Sequence, residues 1–260
     1  MRRYCNRQQV ENQDKRPYSK SVELQNKTAV ITGAGQGLGK SIALELAREG
    51  VHTILVGRHL ETLEQTKKEI LLLGGRADIF TADLSSSEGL NWIDEVIGDF
   101  GLDILINNAG WSPSLKTVEN LTEKEIGDCF GINVFSTFFI LKRVVPYFRK
   151  RNEGYIINIS SRAGSNGYPR LSLYSATKFA VEGLTQAVAK ELENTKIRCY
   201  SVAPGALNTP MRENLFGDAK QKEDPQFTAQ VIVRLLRGEI AAESGKTIDP
   251  ALYKTSAGNS

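Results

Sequence analysis

Residues 28–39, Thr-Ala-Val-Ile-Thr-Gly-Ala-Gly-Gln-Gly-Leu-Gly, decide the fold of this 260-residue chain. The apolar run 28–31 predicts a buried strand, and residues 40–49 continue with the apolar spacing of a helix. A glycine-rich turn between a strand and a helix exposes backbone N–H groups, and the helix N-terminus adds partial positive charge. The segment therefore predicts a phosphate-binding turn that opens a strand–helix–strand fold.

The spacing of the glycines distinguishes two kinds of dinucleotide site. The common GxGxxG fingerprint, started at Gly33, would need glycine at the position that Leu38 occupies. The spacing that fits is TGxxxGxG, in which the glycines are Gly33, Gly37 and Gly39. Gln36 and Leu38 lie inside this turn and join its glycines as predicted cofactor-binding residues.

Strand and helix patterns alternate along the rest of the chain. Six further strands are predicted at 52–56, 77–81, 103–106, 155–159, 197–202 and 246–248. Helices are predicted at 60–73 (with Leu63, Ile70 and Leu73 facing inward), at 85–100, 122–149 and 227–237, and from about residue 172 onward. Such alternation is typical of βαβ units, so the predicted fold is a single α/β domain of three layers, doubly wound (Rossmann), with a mainly parallel seven-stranded sheet.

Both ends of the chain differ from this pattern. Residues 1–26 are polar and lack the apolar core of a secretory signal, so they are predicted to form a flexible tail. A transit peptide is disfavoured because acidic residues are interspersed. The predicted catalytic domain covers residues 27–250, and residues 251–260 are predicted to form a second flexible tail. Residues 214–225 are also expected to be mobile.

Composition excludes several classes of function. The formal charge of +3 is small and dispersed, which argues against nucleic acid, and no apolar stretch is long enough to span a membrane. Three scattered cysteines and two histidines provide neither a disulfide framework nor a metal site. The sequence therefore predicts a cytoplasmic protein without a metal.

The polar segments of the chain all follow predicted strands. In a parallel sheet, ligands bind beyond the carboxyl ends of the strands, so these segments are expected to meet at one site. They are the glycine-rich turn 33–39, Arg58, Asp83, residues 107–110, Ser160 and Ser161, and the loop 203–211 that begins with a Pro204-Gly205 turn.

Tyr174 and Lys178 are separated by four residues at the start of a predicted helix, so they lie on the same face. A free tyrosine has a pKa of about 10. A neighbouring ammonium lowers that pKa, which makes the pair suitable for proton transfer. A nearby serine hydroxyl donates a hydrogen bond to an oxygen that gains charge. Taken alone, the spacing favours a solvated helical pair over a catalytic one.

In combination, these motifs resemble those of the short-chain dehydrogenase/reductase family over residues 27–248. The resemblance rests on the TGxxxGxG turn, Asn107-Asn-Ala-Gly110, Asn133, Ser161, the Tyr174-x-x-x-Lys178 pair and Pro204-Gly-x-Leu-x-Thr209. Ser161 is preferred to Ser160 because it lies thirteen residues before Tyr174, as is usual in the family. The chain departs from the family at its C-terminus, where Ile248-Asp-Pro replaces the common Asp-Gly-Gly ending.

The resemblance implies a role for each of these residues. Tyr174 is expected to be the general acid/base, and Lys178 to lower its pKa and to hold the nicotinamide ribose. Ser161 is expected to hold the substrate oxygen, and Asn133 a water molecule of the proton relay. Further cofactor contacts are implied for Asp83, Leu84, Asn107, Ala109, Gly110, Pro204, Gly205, Leu207 and Thr209.

The implied activity is hydride transfer between a nicotinamide coenzyme and a small-molecule carbonyl or secondary alcohol. A silent NAD(P)-binding regulator and a sugar epimerase or dehydratase are the alternatives, and the complete Asn-Ser-Tyr-Lys set argues against the first. NADP(H) is favoured over NAD(H), because Arg58 stands where an NAD-binding acid would repel a 2′-phosphate. Gln36 supplies no second positive charge, so use of both coenzymes is allowed for. The alternative to a selecting Arg58 is a solvated arginine without a role in coenzyme choice.

Two further expectations concern the surface and the pocket. Apolar residues cover more than one stripe of the helix after Tyr174, with Ala176 and Ala180 on one side and Val181 and Val188 on another. A helix that covers only a sheet needs one stripe, so a homodimer or homotetramer is predicted. The expected pocket walls, formed by Trp111, residues 165–171 and a modest lid at 211–216, are predicted to lack a charged cluster.

Overall fold

The protein is described by a computed structural model that covers residues 22–85, 90–217 and 223–254. Its seven strands form one sheet with the order β3-β2-β1-β4-β5-β6-β7, and every neighbouring pair is parallel. The predicted fold class is therefore confirmed. The strands are β1 (Thr28–Thr32), β2 (His52–Gly57), β3 (Arg76–Thr81), β4 (Ile104–Asn107), β5 (Tyr155–Ile159), β6 (Arg198–Val202) and β7 (Thr247–Ile248).

Helices cover both faces of this sheet. One buried apolar cluster joins the sheet to α1, α2 and α8, and a second joins it to α3, α5 and α6. The predicted three layers are thus present. The helices are α1 (Gly37–Arg48), α2 (Leu60–Leu72), α3 (Trp92–Asp99), α4 (Glu123–Phe130), α5 (Ser136–Arg151), α6 (Ser172–Glu191), α7 (Pro210–Phe216) and α8 (Pro225–Leu236).

Three predictions about the helices were wrong in detail. Leu73 does not face inward: it follows the last residue of α2, where the chain turns outward, and it is 47% exposed. Helix α3 begins at Trp92 rather than at residue 85, and residues 86–89 of the predicted helix lie outside the described residues. The long helix predicted at 122–149 is two α-helices joined by a π-helical segment at Gly131–Phe135.

The described structure extends beyond the predicted domain limits. Val22 N donates to Arg237 O, which attaches the start of the described chain to the end of α8. At the other end, Pro250–Tyr253 form a 3-10 helix capped by Asp249, and Tyr253 packs against the core. Residues 1–21 and 255–260 of the predicted tails, and 218–222 of the predicted mobile stretch, lie outside the described residues.

The helical run from Glu123 to Arg151 is long and apolar enough to cross a membrane, judged by length and composition alone. Half of its most apolar window is buried inside the fold. Its buried residues, among them Ile140, Val144 and Phe148, pack against the sheet. A core helix of the domain accounts for this run.

Candidate active site

A cavity of about 530 Å³ lies at the carboxyl ends of the strands, where the polar segments were predicted to meet. Most of the predicted site residues line it, and only Gly39, Asn107 and Asn133 do not. The residues that do are Gly33, Gln36, Gly37, Leu38, Arg58, Asp83, Leu84, Ala109, Gly110, Ser161, Tyr174, Lys178, Pro204, Gly205, Leu207 and Thr209.

The glycine-rich turn has a backbone that only glycine fits. Gly33 and Gly37 have φ of +66° and +55°, in the left-handed region that other residues rarely adopt. Gly39 lies behind the turn, where a Cβ atom would be 2.2 Å from Gly33 O and 2.5 Å from Asn108 Nδ2. Side chains therefore do not cover the backbone N–H groups of the turn where it leads into α1. This arrangement fits the pyrophosphate of a dinucleotide at the helix N-terminus.

Two residues outside the predicted list connect this turn to the neighbouring strand end. Thr32 Oγ1 accepts hydrogen bonds from the backbone N–H groups of Asn108 (2.9 Å) and Ala109 (3.0 Å). Asn108 Nδ2 donates to Thr32 O at 2.8 Å. These bonds hold the ends of β1 and β4 together beneath the cavity. Thr32 is the first residue of the TGxxxGxG motif, so the motif itself pointed to Thr32 as a residue of the site.

Asn107 has a different role from the one predicted. It is buried at the end of β4, opposite Asn158 on β5, and its Nδ2 donates to Asn158 Oδ1 at 2.8 Å. Asn158 Nδ2 in turn donates to Thr185 Oγ1 on α6 at 2.9 Å. This buried polar chain ties α6 to the sheet, so Asn107 helps to position the helix that carries Tyr174.

Tyr174, Lys178 and Ser161 come together on one wall of the cavity. Helix α6 begins at Ser172, which places Tyr174 and Lys178 one turn apart, with Lys178 Nζ 5.6 Å from the centre of the tyrosine ring. Ser161 lies close enough to Tyr174 to exert a lowering effect on the pKa of the tyrosine hydroxyl. Lys178 is buried and donates from Nζ to Ile159 O at 2.8 Å.

The expected effect of Lys178 on Tyr174 is not observed. Burial raises the pKa of Tyr174 to about 12, and the neighbouring Ser161 hydroxyl opposes this rise. Part of the tyrosine surface still faces the cavity, so solvent moderates the rise. Burial also lowers the pKa of Lys178 to about 8, so the group keeps most of its charge at neutral pH and loses it above about pH 8.

Asn133 lies in the π-helical segment, and its side chain does not face the cavity. Its Oδ1 accepts from Trp111 N at 2.7 Å, and its Nδ2 donates to Trp111 O and to Thr177 Oγ1, both at 2.9 Å. Both amide protons are therefore used within the protein. The amide clamps the chain just after Gly110 against α6, and the expected role of Asn133 in holding a water molecule stays a prediction.

The adenosine end of the cavity contains Arg58 and Asp83. Hydrogen bonds from Ser85 hold the pKa of Asp83 below its usual value, and the charge of Arg58 contributes less to this lowering. Arg58 is exposed and lines the cavity beside His59 and Thr62, two residues that the sequence analysis missed.

The substrate end combines apolar walls with two arginines. Trp111, Tyr168, Leu171, Met211 and Phe216 supply the apolar surface. Two charged side chains, Arg162 and Arg212, also line the cavity. Arg162 Nε lies 3.4 Å from Asp249 Oδ2, so an acid near the C-terminus partly neutralises it.

Comparison with known proteins agrees with this geometry. A family model described as "short chain dehydrogenase" matches residues 27–220. The chain is 32% identical over 239 residues to the 3-oxoacyl-[acyl-carrier-protein] reductase of Thermotoga maritima, covering 87% of this chain and 97% of that protein. It is 33% identical over 235 residues to the cyclohexanol dehydrogenase of an Acinetobacter species, covering 86% and 93%.

A solved structure gives the same result. The 3-ketoacyl-(acyl-carrier-protein) reductase of Brucella melitensis, solved in complex with NADH, superimposes with a TM-score of 0.81 at 28% identity, covering 87% of this chain and 97% of that one. Fold and cavity together define a dinucleotide-binding oxidoreductase. The chain belongs to the short-chain dehydrogenase/reductase family.

Proposed function

We propose that this protein is a cytoplasmic NAD(P)-dependent oxidoreductase that interconverts a carbonyl compound and a secondary alcohol, with Tyr174 as general acid/base. The observation that carries the proposal is the grouping of Tyr174, Ser161 and Lys178 on the wall of the cavity that also exposes the glycine-rich turn. Ketone reduction and alcohol oxidation by the relatives support the class of substrate. A reducing compartment suits Cys129 and Cys199, which are buried free thiols.

Different residues along the cavity are assigned to coenzyme binding and to proton transfer. The bare turn and the N-terminus of α1 would hold the pyrophosphate, and Lys178 the nicotinamide ribose. When bound, the coenzyme supplies or accepts the hydride. Tyr174 gives its proton to the substrate oxygen in reduction and takes it back in oxidation, while Ser161 donates a hydrogen bond to that oxygen. Since its pKa is about 12, Tyr174 is protonated at neutral pH, as reduction requires.

The apolar substrate end favours a ketone or secondary alcohol with an apolar body. The test is a panel of such compounds, run with each coenzyme and followed by nicotinamide absorbance. We expect turnover for compounds that fill the space between Trp111 and Phe216. Coenzyme binding without turnover of any member would support the silent regulator and overturn the proposal.

Coenzyme preference is the part of the proposal that depends on Arg58. We expect wild type to favour NADP(H) by about tenfold, and Arg58→Asp to reverse the preference. A guanidinium pairs with a 2′-phosphate through charge-assisted hydrogen bonds, whereas a carboxylate repels it. Asp83 attracts Arg58, which keeps the preference modest. The measurement is kcat/KM for both coenzymes in both proteins, and an unchanged ratio would show that Arg58 is only a solvated side chain.

The proposal includes a homodimer or homotetramer built on α5 and α6. The two helices are linked at both ends: Asn133, just before α5, bonds to Thr177 of α6, and Arg149 Nη2 of α5 donates to Glu191 O at 2.7 Å. Their outer surface carries Phe179 on α6, with Phe138 and Phe139 on α5, all between 38% and 53% exposed. Exposed aromatic groups on these two linked helices support a second copy as the partner.

We expect light scattering to show a dimer or tetramer at micromolar concentration, and Phe179→Asp to shift it to monomer. A carboxylate buried in a helix–helix interface would lose its hydration without gaining a partner. Leu72→Asp is the matched control, because Leu72 is 78% exposed on a different helix, and it should leave the assembly unchanged. A wild-type monomer would contradict this part of the proposal.

A further inference from the structure

The glycine-rich turn exposes backbone N–H groups but carries no charged side chain between Gly33 and Gly39. Lys40, the next residue, is already engaged, because its Nζ lies 2.8 Å from Glu69 Oε1. The helix N-terminus contributes only about half a positive charge. A pyrophosphate carries two negative charges, so the turn alone leaves most of that charge uncompensated.

Helix α7 brings a basic side chain to this place. Its first residues rest on the turn, since a Cβ atom on Gly37 would lie 3.2 Å from the Thr209 methyl group and 3.8 Å from Pro210 Cδ. Thr209 caps the helix by accepting from Arg212 N. Arg212 is therefore one helical turn from Thr209, which rests on the glycine-rich turn. Arg212 also lines the same cavity.

The guanidinium of Arg212 is held in place, and one of its nitrogens has no hydrogen-bond partner among the described residues. Its central carbon lies 4.9 Å from the centre of the Phe216 ring, which stacks on it. Its Nε is buried and has no hydrogen-bond acceptor in the described part of the chain. A buried donor without an acceptor costs free energy, so a fixed guanidinium with an unsatisfied Nε in a cavity indicates an anion that binds there.

We propose that Arg212 binds the coenzyme pyrophosphate from the α7 side, opposite the backbone of the glycine-rich turn. This inference rests on the proposed function, because it assumes that a dinucleotide occupies the cavity. The other anion that Arg212 could bind is an acidic group of the substrate. The contact between α7 and Gly37 favours the pyrophosphate, since it places the helix directly over the phosphate turn.

The test uses ADP-ribose, which contains the pyrophosphate but neither nicotinamide nor substrate. Calorimetric titration should show that Arg212→Met weakens ADP-ribose binding by about tenfold to 100-fold, the range for one charge-assisted hydrogen bond. Arg212→Lys should recover part of the lost affinity, because it restores the positive charge but not the paired N–H donors of the guanidinium. Arg234→Met is the matched control for the loss of one charge outside the cavity, and it should bind as wild type does.

The outcomes separate this inference from the proposed function. Failure of wild type to bind ADP-ribose or either coenzyme would overturn the proposed function. Wild-type binding together with unchanged affinity in Arg212→Met would overturn the role of Arg212 and assign it to the substrate end. Thermal unfolding without ligand should be the same in wild type and Arg212→Met, and only the shift produced by ADP-ribose should shrink, which excludes a folding defect as the cause.

Discussion

Replacement of Tyr174 by phenylalanine is expected to lower kcat by about 10²- to 10⁴-fold, the usual contribution of a general acid–base group. The substitution removes only the phenolic hydroxyl, which carries the transferable proton, and it keeps the ring in its place. Coenzyme affinity should stay close to the wild-type value, because the glycine-rich turn and Lys178 are untouched.

Turnover and coenzyme binding should be measured on the same preparations, the first by nicotinamide absorbance and the second by fluorescence titration. Tyr155→Phe is the matched control, since Tyr155 begins β5 and lies outside the cavity. It should keep wild-type turnover. Wild-type rates in Tyr174→Phe would contradict the proposed mechanism, and a parallel loss of coenzyme binding would indicate a structural role instead.

The fold could be predicted from the sequence because each local signal agrees with the architecture. Apolar strands, amphipathic helices and the glycines at tight turns all specify the same doubly wound sheet. The site followed from one topological rule, since every polar segment after a strand had to lie at the same edge. Gly33 and Gly37 needed no tertiary information, because their left-handed backbone is a local requirement.

The roles of the asparagines could not be predicted in the same way. Neighbouring residues on a strand point to opposite sides, so the shared motif does not say whether Asn107 or Asn108 faces the ligand. The partner of Asn107 is Asn158, 51 positions away. The clamp formed by Asn133 likewise depends on Trp111, which a loop brings to it. Contacts of this length follow from the assembled sheet and not from local pattern.

The directions in which the pKa values of Tyr174 and Lys178 shift also could not be predicted from the sequence. Spacing of i and i+4 gives proximity, and proximity alone predicts that Lys178 lowers the pKa of Tyr174. Burial determines which effect is larger, and it is a property of the folded protein. Because both groups lose hydration, the pKa of Tyr174 rises and that of Lys178 falls.

Lys178 is expected to destabilise the fold, because its pKa is lowered on folding, and at the same time to support turnover. Its pKa falls from the ordinary value of 10.5 to about 8 on folding, a penalty on the order of 3 kcal/mol at neutral pH. Lys178→Met should therefore stabilise the fold by about 1–3 kcal/mol at pH 7, after the loss of the bond to Ile159 O. The same change should lower kcat by about 10²-fold or more, because the charge beside Tyr174 is lost.

The pH dependence gives the sharper test of Lys178. Between about pH 8 and 10.5 the unfolded chain binds the lysine proton and the folded chain does not, so wild-type stability rises with pH over this window. Urea unfolding at pH 7 and at pH 9.5 should therefore show the advantage of Lys178→Met shrinking at the higher pH. Lys190→Met is the control, because Lys190 is exposed on the same helix and should show no such advantage. A Lys178→Met protein that is less stable than wild type at pH 7 would mean that the buried ammonium is stabilised in the fold, and the desolvation argument would then be wrong.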